Sequence, residues 1–127
     1  MHCRGYYMKT IICDIDGTIF QYPADGNFGL NNENPVLLPG VLKKFNEWEM
    51  KGCRIVLITG RRESWRSVTE AALRRAAIPF DMLIMGFADT GRVLINDINS
   101  KGKVKAHAVN LKRDEGFESV DWEELEL

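Results

Sequence analysis

Three short polar clusters hold the residues able to do chemistry: Asp14-Ile15-Asp16-Gly17-Thr18, Thr59-Gly60-Arg61-Arg62 and Asn96-Asp97-Ile98-Asn99. Asp14 and Asp16 are two residues apart, about 6–7 Å along an extended chain, so both can face one crevice. Gly17 lets the chain turn sharply and lets backbone amides approach a ligand. If Asp97 joins them, three carboxylates repel one another unless a hard cation lies between them. Mg2+ suits such a set, taking carboxylate, carbonyl and water oxygens. A carboxylate beside a cation-bound phosphate can attack phosphorus and become an aspartyl phosphate. A second carboxylate can protonate the leaving oxygen and later deprotonate water. Thr59 and Gly60, read as opening a helix, could hold phosphate oxygens through a hydroxyl and amides. Arg61 or Arg62 could add charge-assisted bonds.

These clusters converge only if the elements around them place them together. Met8–Cys13 (MKTIIC), Arg54–Ile58 (RIVLI), Met82–Met85 (MLIM) and Arg92–Ile95 (RVLI) read as buried strands, the last following a turn at Asp89-Thr90-Gly91. Lys105–Leu111 reads as a fifth, edge strand. Pro39–Met50 reads as a helix with Val41, Leu42, Phe45 and Trp48 on its apolar stripe, closed by Lys51-Gly52. Glu63–Ala77 reads as a second helix with Trp65, Val68, Ala72 and Ala76 on its stripe, stopped by Pro79. Residues 21–38 are rich in Asn, Gly and Pro and read as a long irregular loop. Strands alternating with helices imply parallel pairing through crossover helices. In such sheets ligands sit beyond the carboxyl ends of the strands, where all three clusters fall.

At these residues the chain resembles the haloacid dehalogenase superfamily. Asp14-Ile15-Asp16-Gly17-Thr18 is similar to its first motif, Ile58-Thr59-Gly60-Arg61 to its second, and Ile95-Asn96-Asp97 to its fourth. The second follows the first by about 45 residues, and the combination is more specific than any one motif. The resemblance spans about residues 8–110. It implies an α/β three-layer sandwich with a parallel, Rossmann-like sheet and no cap domain. It implies a Mg2+-dependent phosphatase in which Asp14 is nucleophile and metal ligand. Asp16 would be general acid/base and bind the metal through its carbonyl, Thr59 would orient the phosphoryl group, and Asp97 would be a metal ligand. Gly60, Arg61 and Arg92 would contact substrate. The chain departs from the pattern at the third motif, usually a lysine. No lysine occurs between Lys51 and Lys101, and Phe87 falls about where that lysine is expected. Arg92, Lys101 or Lys103 are the candidate replacements, and an arginine fork is not equivalent to an ammonium point charge.

Composition adds bounds. The chain has 127 residues and a net charge of −1, with 45% hydrophobic and 28% charged residues, which suits one folded domain rather than a disordered chain. Residues 1–113 carry all 17 basic side chains and 11 acids; residues 114–127 carry seven acids and no base. With the resemblance, a 1–113 haloacid dehalogenase-like α/β domain followed by an acidic 114–127 tail is the expected division, the tail lying across a basic surface of its own chain or of a second copy. Three cysteines with no CxxC pair suggest neither a disulfide framework nor a zinc site. With no apolar run of membrane-spanning length and no signal-peptide pattern, the expected location is the cytoplasm. The expected substrate is a small phosphorylated molecule, such as a sugar phosphate or nucleotide. The alternatives are a polynucleotide end and a phosphate- and Mg2+-binding module without turnover. A homo-oligomer would help close an uncapped site.

Overall fold

The computed structural model describes residues 9–23, 34–87 and 90–127. In order, they form β1 (Thr10–Asp14), α1 (Val41–Met50), β2 (Arg54–Ile58), a 3-10 turn (Glu63–Trp65), α2 (Arg66–Arg75), β3 (Met82–Ile84) and a second 3-10 turn (Glu123–Leu125). Residues 24–33 of the expected loop lie outside the described residues, as do Met8 and part of the turn at Asp89–Gly91. The β-branched Ile11, Ile12, Ile55, Val56 and Ile58 favour extended backbone. The strands pair in parallel in the order β1-β2-β3, with Asp14 opposite Ile58 and Ile58 opposite Ile84. α1 and the turn–α2 segment are the crossovers that parallel pairing requires.

Alternation along the strands decides which sheet face is covered. Cys13, Ile55, Leu57 and Leu83 are buried in one cluster with Val41, Phe45 and Trp48 of α1 and Ala72 and Leu73 of α2. Both helices therefore pack on the same face. On the opposite face Ile12 is 51% and Met82 53% exposed. The described elements form two layers, not the expected three, and three strands, not four or five. Arg92–Ile95 and Lys105–Leu111 are not strands, and Val93 and Ile95 are 89% and 87% exposed. A run of apolar and β-branched residues becomes a strand only when a sheet edge completes its hydrogen bonds, and no described edge does so here.

α1 begins two residues later than expected, with Gly40 as its N-cap in a left-handed conformation (φ 77°). The stripe of α2 is also turned from the expected one: Thr69, Ala72 and Leu73 are buried, while Val68 and Ala76 are only partly so. Counted from Trp65, the buried residues fall at i+4, i+7 and i+8, an ordinary helical stripe. Trp65 itself is half-buried at the helix entrance rather than in the core.

The acidic segment 114–127 is tied into the core. Phe117 is 3% exposed and stacks on Phe45 with centroids 6.1 Å apart. Trp122 meets Trp48 edge-on at 5.4 Å, and its Nε1 donates to the Phe117 carbonyl at 3.1 Å. Gly116 (φ 80°) lies so close to Pro39 that a Cβ there would sit 2.4 Å from the Pro39 carbonyl oxygen. The segment also meets basic groups, with Lys44 Nζ donating to the Leu127 carbonyl at 3.1 Å and Lys9 pairing with Glu126 at 3.5 Å.

Candidate active site

β1 ends on Asp14, and the chain then turns around one buried carbonyl. The Ile15 oxygen accepts from the amides of Thr18, Ile19 and Phe20, while the Gly17 amide donates to the Phe20 carbonyl at 2.7 Å. Gly17 has φ 86°, and an added Cβ would lie 3.0 Å from Arg113 Cγ, so the turn needs glycine twice over. Ile15 and Ile19 are fully buried and pin the loop from below. That leaves Asp14 and Asp16 on its outer side. The parallel register places Ile58 beside Asp14, so Thr59 is the next residue out on the neighbouring strand. The result is a crevice of about 180 Å³ lined by Asp14, Asp16, Tyr22, Thr59, Gly60, Arg61, Arg62 and Trp65. The first two polar clusters meet at the carboxyl ends of the strands, as the topology requires.

Thr59 is 1% exposed and its backbone is held on both sides, its amide donating to the Ile84 carbonyl at 3.0 Å and its carbonyl accepting from Phe87 at 2.9 Å. Its hydroxyl accepts from the Arg61 amide at 3.1 Å, which leaves the hydroxyl proton to donate. Helix geometry begins only at Glu63, so Thr59 and Gly60 lie on a loop ahead of the helix rather than in its first turn.

Arg61 differs most from expectation. The sequence offers it as a phosphate or substrate contact. In the structure it is 3% exposed, and its guanidinium forks onto Asp16: Nε donates to Oδ2 at 2.9 Å and Nη2 to Oδ1 at 2.7 Å. Nη1 donates to Thr69 Oγ1 at 2.9 Å, which explains a buried threonine on α2. A planar fork matches a carboxylate in this way, and the pair is nearly out of water. Asp14 is held more loosely. Burial pushes its carboxyl above the usual 3.8. The Arg92 guanidinium and the Ile15 amide oppose that rise, and the charge of Asp16 adds to it. Arg92 Nη2 reaches Asp14 Oδ1 at 3.4 Å from 78 residues away. Of the three candidate replacements for the missing lysine, Arg92 is the one beside Asp14. Lys101 and Lys103 lie on an exposed turn where both their amides donate to Asn99 Oδ1 at 2.9 Å.

The third cluster does not join the site. Asp97 is largely exposed and pairs with Lys105, and among the described residues no group of three His, Cys, Asp or Glu side chains could hold a metal. The residues present still fit a hard divalent cation at Asp14. Mg2+ commonly takes one or two protein carboxylates and completes its shell with water and phosphate oxygens. Asp14 faces the crevice with its side chain 36% exposed and one acid neighbour. Each carboxylate oxygen of Asp16 accepts one bond from Arg61, and the Asp16 backbone carbonyl is the group it could offer a cation.

Several site residues had no signal in the sequence. Tyr22 and Trp65 line the crevice, with Arg113 3.9 Å from the Tyr22 ring centroid and Arg62 5.1 Å from that of Trp65. Trp65 reads as core from helical spacing, and Arg113 ends the expected domain. The fork between Arg61 and Asp16 joins residues 45 apart, a pairing that only strand order reveals.

No family model matches the chain, and no curated protein matches it. Among solved structures it is similar to a chain of the Pnkp1/Rnl/Hen1 complex, with a TM-score of 0.55 and 24% identity over 68% of this chain and 31% of that one. A chain of the Pnkp1/Rnl/Hen1 RNA repair complex gives 0.51 and 24% over 71% and 29%. The D,D-heptose 1.7-bisphosphate phosphatase from B. bronchiseptica, complexed with magnesium and phosphate, gives 0.51 and 20% over 65% and 52%. The chain spans about a third of the length of the first two and about half of the third. What these chains share is an architecture, and by it this protein has a haloacid dehalogenase-like fold.

Proposed function

We propose that the chain is a phosphomonoester hydrolase working through an aspartyl phosphate on Asp14. The observation that carries this reading is Asp14 at the end of β1, facing the crevice with the Arg92 cation at 3.4 Å and with Asp16 and Thr59 on the same lining. An Asp14 oxygen attacks phosphorus and the ester oxygen departs, taking a proton from the Asp16 carboxyl. Asp16 then removes a proton from water. The hydroxide attacks phosphorus, and the acyl phosphate bond breaks to return the Asp14 carboxylate and free phosphate. Each proton handover takes one Asp16 oxygen out of the Arg61 fork, so Arg61 aims the carboxylate and holds it between transfers. The Thr59 hydroxyl donates to a phosphoryl oxygen. Arg92 takes the place of the absent lysine in balancing the charge of Asp14 and phosphate. Mg2+, held by Asp14 and the Asp16 carbonyl, supplies charge neutralisation when bound.

The test is turnover of an aryl phosphate with Mg2+. Asp14→Asn should lower kcat by about a thousand-fold or more with the fold intact. Activity equal to the unsubstituted protein refutes the assignment. Beryllofluoride binding with no hydrolysis across a broad substrate panel would instead mark a binding module. A second reading, a polynucleotide-end phosphatase, draws on Tyr22 and Trp65 with their flanking arginines and on the likeness to the RNA repair complex. Aromatic faces and guanidinium groups are what bases and phosphates meet in single-strand sites. That reading requires a phosphorylated oligonucleotide to exceed sugar phosphates in kcat/KM, with binding that weakens steeply as salt rises.

A further inference from the structure

We propose that Asp114 is a positioning residue for the loop that carries Asp16, an inference that rests on the phosphatase reading for its kinetic consequence. The loop leaves β1 at Asp14 and runs to Tyr22, and one residue from the other end of the chain holds both of its flanks. The Asp114 amide donates to the Gly17 carbonyl at 2.9 Å, and the Asp114 Oδ1 accepts from the Tyr22 amide at 2.7 Å. The two contacts span 97 and 92 residues of sequence, so neither is local turn chemistry. Asp114 makes both contacts with a left-handed backbone (φ 65°), a conformation that Asp and Asn tolerate better than most side chains.

The bridge is anchored on each side. Before it, Arg113 lies over the Tyr22 ring at 3.9 Å and against Gly17. After it, Gly116 packs on Pro39 and the Phe117 amide donates to the Pro39 carbonyl at 2.9 Å, with the Phe117 ring in the core. Asp114 is thus fixed to the start of α1 and fixes in turn the loop at its fourth and ninth residues counted from Asp14. Asp16 lies directly before the first of these points. Its carboxylate is aimed by Arg61, and its backbone is aimed by Asp114. Freeing the loop changes the distance from Asp16 to a leaving group, and small displacements of that kind act on kcat rather than on binding.

Three substitutions separate the acceptor from the backbone conformation. Asp114→Gly removes the acceptor and keeps φ 65° accessible. Asp114→Asn keeps both an acceptor oxygen and that conformation. Asp114→Ala loses both. The readouts are amide hydrogen exchange at Gly17–Tyr22 and the kcat and KM for an aryl phosphate. Asp114→Gly should expose the Tyr22 amide to exchange and lower kcat about ten-fold with KM changed less than about two-fold. Asp114→Asn should restore both to within about three-fold of the unsubstituted protein. Unchanged exchange at Tyr22 in Asp114→Gly overturns the bridge. Faster exchange with unchanged kcat overturns the link to Asp16, as does Asp114→Asn failing as badly as Asp114→Gly. If the unsubstituted protein hydrolyses nothing, the phosphatase reading falls, and with it the kinetic half of this one. The exchange result then still decides whether Asp114 holds the loop.

Discussion

Arg61 offers the sharpest test of how the site is built. Its side chain is 1% exposed and that of Asp16 10%, and they share two hydrogen bonds of 2.7 and 2.9 Å. Replacing Arg61 with Ala leaves a carboxylate with little water and no counter-charge, and leaves Thr69 Oγ1 without its donor. Breaking a buried pair from one side costs about 3–5 kcal/mol. That is a large share of the ~5–15 kcal/mol by which a domain is stable, so Arg61→Lys is the variant to titrate alongside it. Lysine keeps the charge but cannot form a fork. Losing one charge-assisted bond and the bond to Thr69 should cost about 2 kcal/mol or more. Removing the carboxylate charge as well should recover much of the loss, because the stranded anion is gone. The assay is urea unfolding at neutral pH of Arg61→Ala, Asp16→Asn and the pair, read as a double-mutant cycle. A coupling energy of about 2 kcal/mol or more is expected. A coupling below about 0.5 kcal/mol, or a loss under about 1 kcal/mol for Arg61→Ala, refutes the claim that the two residues are locked together.

The raised carboxyl of Asp14 means that its ionised form opposes folding. The stability linked to its proton is full below the usual value of 3.8 and is lost as pH rises through the higher folded value. In EDTA, Asp14→Asn should therefore raise Tm at pH 7, with the gain vanishing below about pH 3.8, as followed by circular dichroism; a lower Tm at pH 7 contradicts the direction. Phe117→Ala should cost about 3–5 kcal/mol in a denaturant titration, because the ring is buried against Phe45, Trp48 and Trp122. Deleting 114–127 should for the same reason unfold the domain rather than merely alter its charge or its assembly. A deletion variant with an unshifted Tm would place the segment outside the core.

The two sides of the site were legible in the sequence to different degrees. Asp14, Asp16, Thr59 and the strands behind them could be read because strand type, glycine position and polar residues at strand ends are local. Parallel pairing then leaves those ends only one common edge. β2 matches its sequence pattern to the residue and α1 to within two. By contrast, the structure leaves Arg92–Ile95 unpaired and Asp97 beside Lys105 in solvent, although the same local signals pointed to a strand ending in a metal ligand. A strand needs a partner edge, and sequence pattern does not say whether one is free.

The amino-acid sequence by itself determined the parallel βαβ order, the carboxylates at the end of β1 and the absence of a lysine where one is expected. Those properties follow from residue type and short-range periodicity. Only the tertiary structure decided what each charge does. It turned Arg61 inward onto Asp16, brought Arg92 to Asp14 and folded an acidic segment back so that Phe117 fills the core and Asp114 holds the loop. These pairings join residues 45 to 97 positions apart. Burial makes each unpaired charge costly, so the packed chain selects one partner for each where the sequence allows several.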